Sequence, residues 1–146
     1  MTQAKAFAAR LDALAEMVDF TAAAFEREGI DRRLLGTVDF VLEELFTNVV
    51  KYGRRTSGTS GARNVPVSVQ LELQAVAGGV QACLIAEGVA DFDVTRAPPV
   101  DTSLPIEQRQ PGGLGLHLIG RLVDSIEYDY QVSQMRSRVT FRKTSA

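Results

Sequence analysis

Hydrophobic residues recur at helical spacing over the first third of the chain. One stripe predicts an amphipathic helix from about Ala4 to Glu28, and Gly29 suits its C-terminal cap. A second stripe predicts a helix that begins at Arg32, after the potential cap residue Asp31, and ends at Gly53. The apolar positions that define the two stripes are Phe7, Leu11, Leu14, Val18 and Phe25, and then Leu34, Val38, Leu42, Leu45 and Val49.

Alternating hydrophobicity replaces the helical spacing in the next part of the chain. The segment Arg54–Asn64 is rich in Ser, Gly and Arg, and it predicts a loop inside the domain. Strict alternation through Val65–Ala75 predicts a strand with one buried face. The pair Gly78-Gly79 predicts a hairpin turn, after which Val80–Ala86 forms the returning strand.

A long segment without periodicity opens the last third of the chain. Gly88–Gly112 holds four of the five prolines, and a loop of this length in a compact domain is usually functional or mobile. Apolar spacing then predicts a helix over about Gly113–Val123, and two strands follow at Ser125–Val132 and Arg138–Lys143. The inner side of that helix is expected to carry Leu114, Leu118, Ile119 and Leu122.

The order of these elements is helix, helix, strand, strand, long loop, helix, strand, strand. Hairpin-connected strands with helices grouped to one side are typical of an α+β domain. We therefore expect one two-layer α/β sandwich over residues 1–146, with helices on one face of the sheet. The sheet is expected to be mixed and mostly antiparallel, because the third helix crosses between strands.

Composition narrows the classes of function. The net charge of −2 provides no basic field, so no nucleic-acid partner is expected. The single cysteine, Cys83, cannot form a disulfide framework, and the single histidine, His117, leaves no His/Cys metal cluster. The first residues lack the apolar run and cleavage site of a signal peptide, and no stretch approaches the roughly 18 apolar residues that span a membrane. The expectation is a cytoplasmic protein without a membrane partner.

Glu44 and Asn48 form the first pair of side chains with chemical potential. They are four residues apart on a predicted helix, so they share one face. The amide oxygen of Asn48 is a hard ligand suited to Mg²⁺, and Glu44 could position or deprotonate an attacking hydroxyl. An alternative interpretation is a solvated polar patch, which is the commoner meaning of this spacing when it occurs alone.

The run from Gly112 to Leu116 is the second candidate. Glycines just before a helix let backbone N–H groups approach a phosphate, and the helix N-terminus adds partial positive charge. The run is not a Walker loop, because no Gly-Lys-Ser/Thr sequence follows it. The alternative is a plain junction between a loop and a helix.

Together with Gly88, these segments resemble the GHKL superfamily of histidine kinase-like ATPases. The helix with Glu44 and Asn48 is similar to its N box, Gly88 to the glycine of its first glycine box, and Gly112–Leu116 to its second. The Gly-Gly-Leu-Gly-Leu run and the following Arg121–Asp124 segment most resemble the anti-sigma-factor serine/threonine kinase branch.

The resemblance implies a site for ATP and Mg²⁺. By position, Asn48 would bind Mg²⁺ and the nucleotide, and Glu44 would be the catalytic carboxylate. The segment 88–112, which we call the lid, would close over the nucleotide. Thr140 would lie near the adenine, with Ala86 and Gly88 at the first glycine box. The residues that would cradle the phosphates are Gly112, Gly113, Leu114, Gly115 and Leu116.

The resemblance also implies partners and an activity. Members of this branch transfer the γ-phosphate of ATP to a serine or threonine of a STAS-type anti-sigma-factor antagonist. They hold that antagonist or a sigma factor in alternation. Dimers are common among them, so a homodimer is one candidate state of this chain.

Two departures from the family pattern stand out. The first glycine box normally opens with an aspartate that accepts a hydrogen bond from the adenine amino group, and here that position is Ala86. Loss of such a bond costs about 1–3 kcal/mol, so a partner-binding module with weak or no ATP binding is the alternative function. The strand that usually precedes the first helix is expected to be short or absent.

Four further side chains receive packing interpretations. Cys83 lies in an apolar run and is expected in the core. Tyr128 and Tyr130 alternate on a predicted strand and are expected to pack. His117 is interpreted as a packing residue or a contact to the lid.

Overall fold

A computed structural model describes residues 1–52, 67–96 and 113–145 of the chain. The predictions for Gly53, the loop Arg54–Asn64, Val65, Gly112 and the lid from residue 97 onward therefore lie outside the described residues. The helices are α1 (Leu14–Glu28), α2 (Leu35–Tyr52) and α3 (Gly113–Leu122), and the strands are β1 (Thr2–Ala8), β2 (Ser68–Val76), β3 (Gly79–Glu87), β4 (Ser125–Gln131) and β5 (Arg136–Thr144).

The five strands form one sheet in the order β1-β2-β3-β5-β4, and every pairing among them is antiparallel. The expectation of a mixed sheet is therefore wrong for the described strands. The chain does cross through α3 between two strands of the same direction, β3 and β4. However, β5 lies between these strands and is antiparallel to both, so no parallel pair forms.

The helices cover one face of this sheet, which confirms the two-layer α+β architecture. Along β2 the alternation that the sequence predicts is present: Val69, Leu71 and Leu73 are buried, whereas Ser68 and Gln70 are exposed. Gly78 forms the hairpin turn with a φ of 77°, in the left-handed region that favours glycine. Among the described helices, none combines the length and apolarity needed to cross a bilayer.

The first predicted helix is wrong at its N-terminal end, because Thr2–Ala8 is the edge strand β1, paired with β2. The family-based expectation of a short or absent first strand is wrong as well. Phe7 lies opposite Val69, is 5% exposed and makes an edge-to-face contact with Phe20, with the ring centroids 5.9 Å apart. Strand pairing and the burial of this ring thus outweigh the helical spacing of Phe7 and Leu11.

The change at β1 also alters the buried face of α1. Leu11 and Val18, predicted to face the core, are 47% and 44% exposed. The helix instead buries a neighbouring stripe, because its rotation is set by contact with α2 and the sheet. The residues of that stripe are Met17, Thr21, Ala24 and Phe25.

The second helix follows its sequence pattern closely. Gly29 ends α1 with a φ of 66°, and the Asp31 carboxylate accepts a hydrogen bond of 2.9 Å from the backbone N–H of Arg33. These two local signals fix the corner between α1 and α2. The buried residues of α2 include the predicted Val38, Leu42 and Leu45, and also Val41 and Phe46.

The third helix turns a different side to the core than the spacing suggested. Leu116 and Ile119 are buried, whereas Leu118, predicted to face inward, is 37% exposed. Leu122 is half-buried, and the side chain of Leu114 lies outside the described part of the chain.

Asp39 is a polar residue in the contact between α1 and α2, and it gives a stability prediction. Its Oδ1 is buried without a hydrogen-bond partner among the described residues. Burial, followed by the charge of Glu43, raises the pKa of this carboxyl above its ordinary value of 3.8. The raised pKa means that the charged form destabilises the fold at neutral pH. This cost disappears below pH 3.8, where Asp39 is protonated in both the folded and the unfolded chain.

We expect Asp39→Asn to raise the free energy of unfolding at neutral pH by up to about 1 kcal/mol, since the amide removes a poorly solvated charge. This gain in the free energy of unfolding should vanish below pH 3.8. Urea unfolding at neutral pH and at a pH below 3.8 measures both values. Asp19→Asn, on the exposed side of α1, is the control and should change stability by less than about 0.5 kcal/mol. An equal gain at both pH values would contradict the assignment.

Candidate functional site

Asn48 carries a buried acceptor atom that is not used within the described structure. The residue is 7% exposed, and its Nδ2 donates a hydrogen bond of 2.7 Å to the backbone carbonyl of Glu44. Because a carbonyl can only accept, this bond fixes the orientation of the amide. The Oδ1 atom is then left buried with no hydrogen-bond partner among the described residues. An oxygen in this state is suited to receive a cation or a donor from a ligand.

Glu44, one helical turn before Asn48, lies at the contact between α2 and α3. A Cβ atom added at Gly115 would overlap the Glu44 carboxylate, so the backbone of α3 and this side chain are in direct contact. Only glycine leaves room for the carboxylate at this position. Partial burial, and next the charge of Glu43, raises the pKa of Glu44, while Lys51 opposes the shift.

This contact brings the two predicted motifs together. Gly113 is the first residue of α3 and Gly115 lies in its first turn, where backbone N–H groups have no partner within the helix. The first turn of α3 therefore lies beside α2 at Glu44, one helical turn from Asn48. The side chain of Leu116 is 7% exposed and belongs to the core, so only its backbone could contribute to a phosphate site.

A cavity opens between α2 and the sheet next to Asn48. The space without protein atoms at this place amounts to about 460 Å³, a volume that includes space open to solvent. Its lining is mainly apolar and comes from α2, three strands and the chain that follows β3. The lining residues are Leu45, Asn48 and Val49 from α2; Leu84, Tyr128, Ser137 and Val139 from the sheet; and Val89, Ala90, Phe92 and Val94.

The segment Val89–Val94, which we call the wall segment, forms part of the lining of the cavity. Gly88 directs the chain from β3 into this segment with a φ of 78°, a left-handed conformation that favours glycine. The wall segment is the first part of the predicted lid, and it is described up to Arg96.

Two tyrosine hydroxyls hold the wall segment in place. Tyr128 donates a hydrogen bond of 2.7 Å to Asp91 and accepts one of 3.0 Å from the backbone N–H of Phe92. Tyr130 donates one of 2.6 Å to the carbonyl of Val89. Burial and the bond to Asp91 raise the pKa of Tyr128, so its hydroxyl stays protonated as a donor. The interpretation of these tyrosines as packing residues missed this role, although their alternation on β4 already placed both on one face.

Thr140 does not lie where the resemblance placed it. On β5, Ser137, Val139 and Phe141 face the helices, so Thr140 points to the opposite face. Its hydroxyl lies 3.5 Å from the sulfur of Cys83 on that outer face, away from the cavity. The placement of Thr140 beside the adenine is therefore wrong. Cys83 is buried, as the sequence predicted, although its side chain lies on this outer face of the sheet.

Ser137 is the hydroxyl of β5 that does line the cavity, and the sequence interpretation missed it. It is 8% exposed and lies opposite Ala86 in the pairing of β3 with β5. Ala86 is 1% exposed and faces the helices, so no polar side chain of β3 reaches the cavity at this level. The alternation of β5 could have identified Ser137, but only if the sequence had also shown which of the two alternating sets of residues faces the helices.

Comparison with known proteins identifies the family of the chain. The family model described as histidine kinase-like ATPase domain matches residues 7–143. A solved structure of the Acinetobacter baumannii histidine kinase AdeS resembles the chain with a TM-score of 0.46 and 18% identity, over 97% of this chain and 67% of that one. Because this score and identity are low, family membership rests on the family model. Among curated proteins, no match to the chain was found.

Gly115→Ala tests the contact between α2 and α3. We expect the added methyl group to push the Glu44 carboxylate toward solvent, because the end of a glutamate side chain moves more easily than a helix backbone. The pKa of Glu44 should then fall toward its ordinary value of 4.5, as measured by ¹³C NMR titration of the carboxyl carbon.

Gly120→Ala is the matched control in the same helix. No atom lies within 4 Å of a Cβ added at Gly120. This variant should leave the titration of Glu44 unchanged and raise stability by up to about 1 kcal/mol, since alanine is the better helix former. An unchanged Glu44 titration in Gly115→Ala would show that the close contact does not exist in solution.

Proposed function

Because the chain belongs to the histidine kinase-like ATPase domain family, we propose that it binds Mg²⁺–ATP beside Asn48 and transfers the γ-phosphate to a serine or threonine. The proposed acceptor is a STAS-type anti-sigma-factor antagonist, and the proposed role is that of an anti-sigma factor. The single observation that carries the proposal is the contact of Glu44 with Gly115, one turn from the unpaired Oδ1 of Asn48. This contact joins a carboxylate, an amide oxygen and a glycine-rich helix start at one place.

The donor set fits the nucleotide and its metal. Domains of this family generally bind ATP with Mg²⁺. Asn48 offers a buried hard oxygen for Mg²⁺, and the first turn of α3 from Gly113 offers backbone N–H groups without a partner inside the helix to phosphate oxygens. When bound, Mg²⁺–ATP supplies the phosphoryl group and the metal charge that stabilises phosphoryl transfer.

Glu44 is the proposed general base. Its half-buried carboxylate is held at the start of α3, and its raised pKa makes it a better proton acceptor than an exposed glutamate. It would orient the acceptor hydroxyl and take up its proton. The wall segment, fixed by Tyr128 and Tyr130, shields the apolar side of the cavity from water.

The choice of a serine/threonine acceptor rests on the sequence of α3 and of the residues directly before and after it. The Gly-Gly-Leu-Gly-Leu run from residue 112 to 116 and the segment Arg121–Asp124 resemble the anti-sigma-factor branch. In that branch the same domain holds the antagonist or a sigma factor. The partner and the acceptor residue are part of the proposal, as is a cytoplasmic location.

A second candidate function is a partner-binding module that has lost nucleotide affinity. The observation in its favour is Ala86, which is buried and offers no acceptor to an adenine amino group. Glu44 contacts Gly115 through its carboxylate and Asn48 through its backbone carbonyl, and these contacts at the proposed phosphate end favour the first proposal.

We expect Glu44→Gln to lower transfer of radiolabelled phosphate from ATP to a cognate STAS protein by roughly 10²- to 10⁴-fold, since the amide cannot accept a proton. In the unmodified chain, transfer should fall as the pH drops, with a midpoint above 4.5, because protonation of Glu44 removes the base. Glu43→Gln, on the exposed side of the same helix, is the control. It should retain transfer and shift the midpoint downward, because the charge of Glu43 raises the pKa of Glu44. Full activity of Glu44→Gln would refute the role of this carboxylate.

Calorimetry with Mg²⁺–ATP separates the two candidate functions. The kinase requires saturable binding, which Asn48→Ala should weaken because the unpaired oxygen is removed. If Ala86 limits the affinity, Ala86→Asp should tighten ATP binding by roughly 5- to 150-fold. Absence of binding at millimolar nucleotide in the folded, unmodified chain would favour the partner-binding module.

A further inference from the structure

A second hollow lies between α1 and α2, and we call it the α1–α2 groove. The space without protein atoms there amounts to about 480 Å³, a volume that includes space open to solvent. Its deepest side chains are apolar, since Met17 is 2% and Leu42 is 1% exposed. The residues that line the groove are Leu14, Ala15, Met17, Val18 and Thr21 from α1, and Asp39, Leu42 and Glu43 from α2.

Asp39 is the polar residue of this groove that lacks a partner. Its Oδ1 is buried and accepts no hydrogen bond within the described residues. Glu43, one helical turn later, is the charged group that raises the pKa of Asp39 in addition to burial. Thr21 has a partner, because its hydroxyl donates a hydrogen bond of 2.9 Å to the carbonyl of Met17. An apolar groove thus contains a partly desolvated carboxylate that no described basic side chain neutralises.

This donor set suits an organic cation better than a metal ion. Divalent cations take about six oxygen ligands, and the described part of the chain holds no cluster of three or more acidic, histidine or cysteine side chains that could bind one. A guanidinium is planar and weakly hydrated, and its methylene stem packs on apolar surface. Because Asp39 is already partly removed from water, a guanidinium that binds it faces a smaller desolvation cost.

Exposed apolar side chains continue from the groove along α1. Val18, at the rim, is 44% exposed, and Leu11, in the turn that leads into α1, is 47% exposed. Leu11, Leu14 and Val18 lie at helical spacing and form one strip. A free amino acid or a polyamine would leave this strip in water, whereas a protein surface would cover it. Charge complementarity and the adjoining strip therefore favour a protein that presents an arginine between aliphatic side chains.

We propose that the α1–α2 groove docks a protein partner through an arginine, whose guanidinium binds Asp39 and whose methylene stem packs on Met17 and Val18. Aliphatic side chains of the partner cover the strip on α1. The groove lies on the side of α2 that faces α1, whereas Glu44 contacts α3 at Gly115. Docking at this surface is therefore separate from the proposed nucleotide site and does not depend on nucleotide binding.

The test uses two synthetic, alanine-based helical peptides. One carries an arginine with a leucine one turn before it and another one turn after it, and the other has citrulline in place of the arginine. Citrulline keeps the shape of the side chain without its charge. In a methyl NMR titration of the full chain, the arginine peptide should cause saturable shifts at Val18 and Leu42. The citrulline peptide should bind roughly tenfold more weakly, because it cannot pair with the carboxylate.

Asp39→Asn completes a thermodynamic cycle with these peptides. It should weaken binding of the arginine peptide by roughly tenfold and leave binding of the citrulline peptide unchanged, since the charge pair is already absent there. Circular dichroism checks that the variant is folded, which its expected gain in stability favours. Glu127→Gln removes the same charge from the exposed outer face of β4 and is the matched control. It should bind both peptides as the unmodified chain does.

Three results would overturn the proposal. They are failure of the arginine peptide to bind the unmodified chain, equal affinity of the two peptides, and undiminished binding of the arginine peptide to folded Asp39→Asn. Nα-acetyl-arginine amide should bind roughly tenfold more weakly than the arginine peptide, because it leaves the strip on α1 uncovered. Equal affinity of this small molecule would make the groove a small-ligand site and would overturn its assignment to a protein partner.

Discussion

The close contact between α2 and α3 at Glu44 and Gly115 determines the arrangement of the rest of the site. A side chain at position 115 would overlap the carboxylate, so glycine lets the two helices meet. In the same helix, Leu116 and Ile119 lie in the core, whereas Leu118 is partly exposed. The contact also partly removes Glu44 from water and raises its pKa, which is the property that a general base needs. Glycine at position 115 therefore leaves the space in which the Glu44 carboxylate lies.

The wall of the cavity depends on a second long-range device, the hydroxyls of Tyr128 and Tyr130. β4 lies at the edge of the sheet beyond β5, yet its tyrosines reach the chain that leaves β3. Three short hydrogen bonds hold the wall segment against the sheet without closing the cavity. Such an arrangement combines a fixed wall on the sheet side with the unpaired oxygen of Asn48 on the helix side. A wall segment held in this way loses less conformational entropy when a ligand binds.

The sequence by itself determined the elements whose signals are local. The caps of the α1–α2 corner, Gly29 and Asp31, act within one or two residues and were predicted correctly. The hairpin turn at Gly78 and the apolar stripe of α2 were also predicted from the sequence. The φ preference of glycine and the 3.6-residue period of a helix are local properties that need no distant partner. The spacing of Glu44 and Asn48 was sufficient to place both on one face of that helix. The resemblance to a family then supplied the chemistry that such a pair could perform.

Only the tertiary structure decided the features that depend on distant partners. Phe7 fits a helical stripe as well as a strand, and pairing with β2 made it part of a strand. The order of the strands placed β5 beside β3, which gave the cavity Ser137 and turned Thr140 away. Adjacent strand residues point to opposite faces of the sheet. A sequence pattern that does not show which face of β5 is buried therefore cannot decide whether Ser137 or Thr140 lines the cavity. Local preferences of the chain fixed what each segment could become, and burial between segments far apart in sequence selected which side chains form the site.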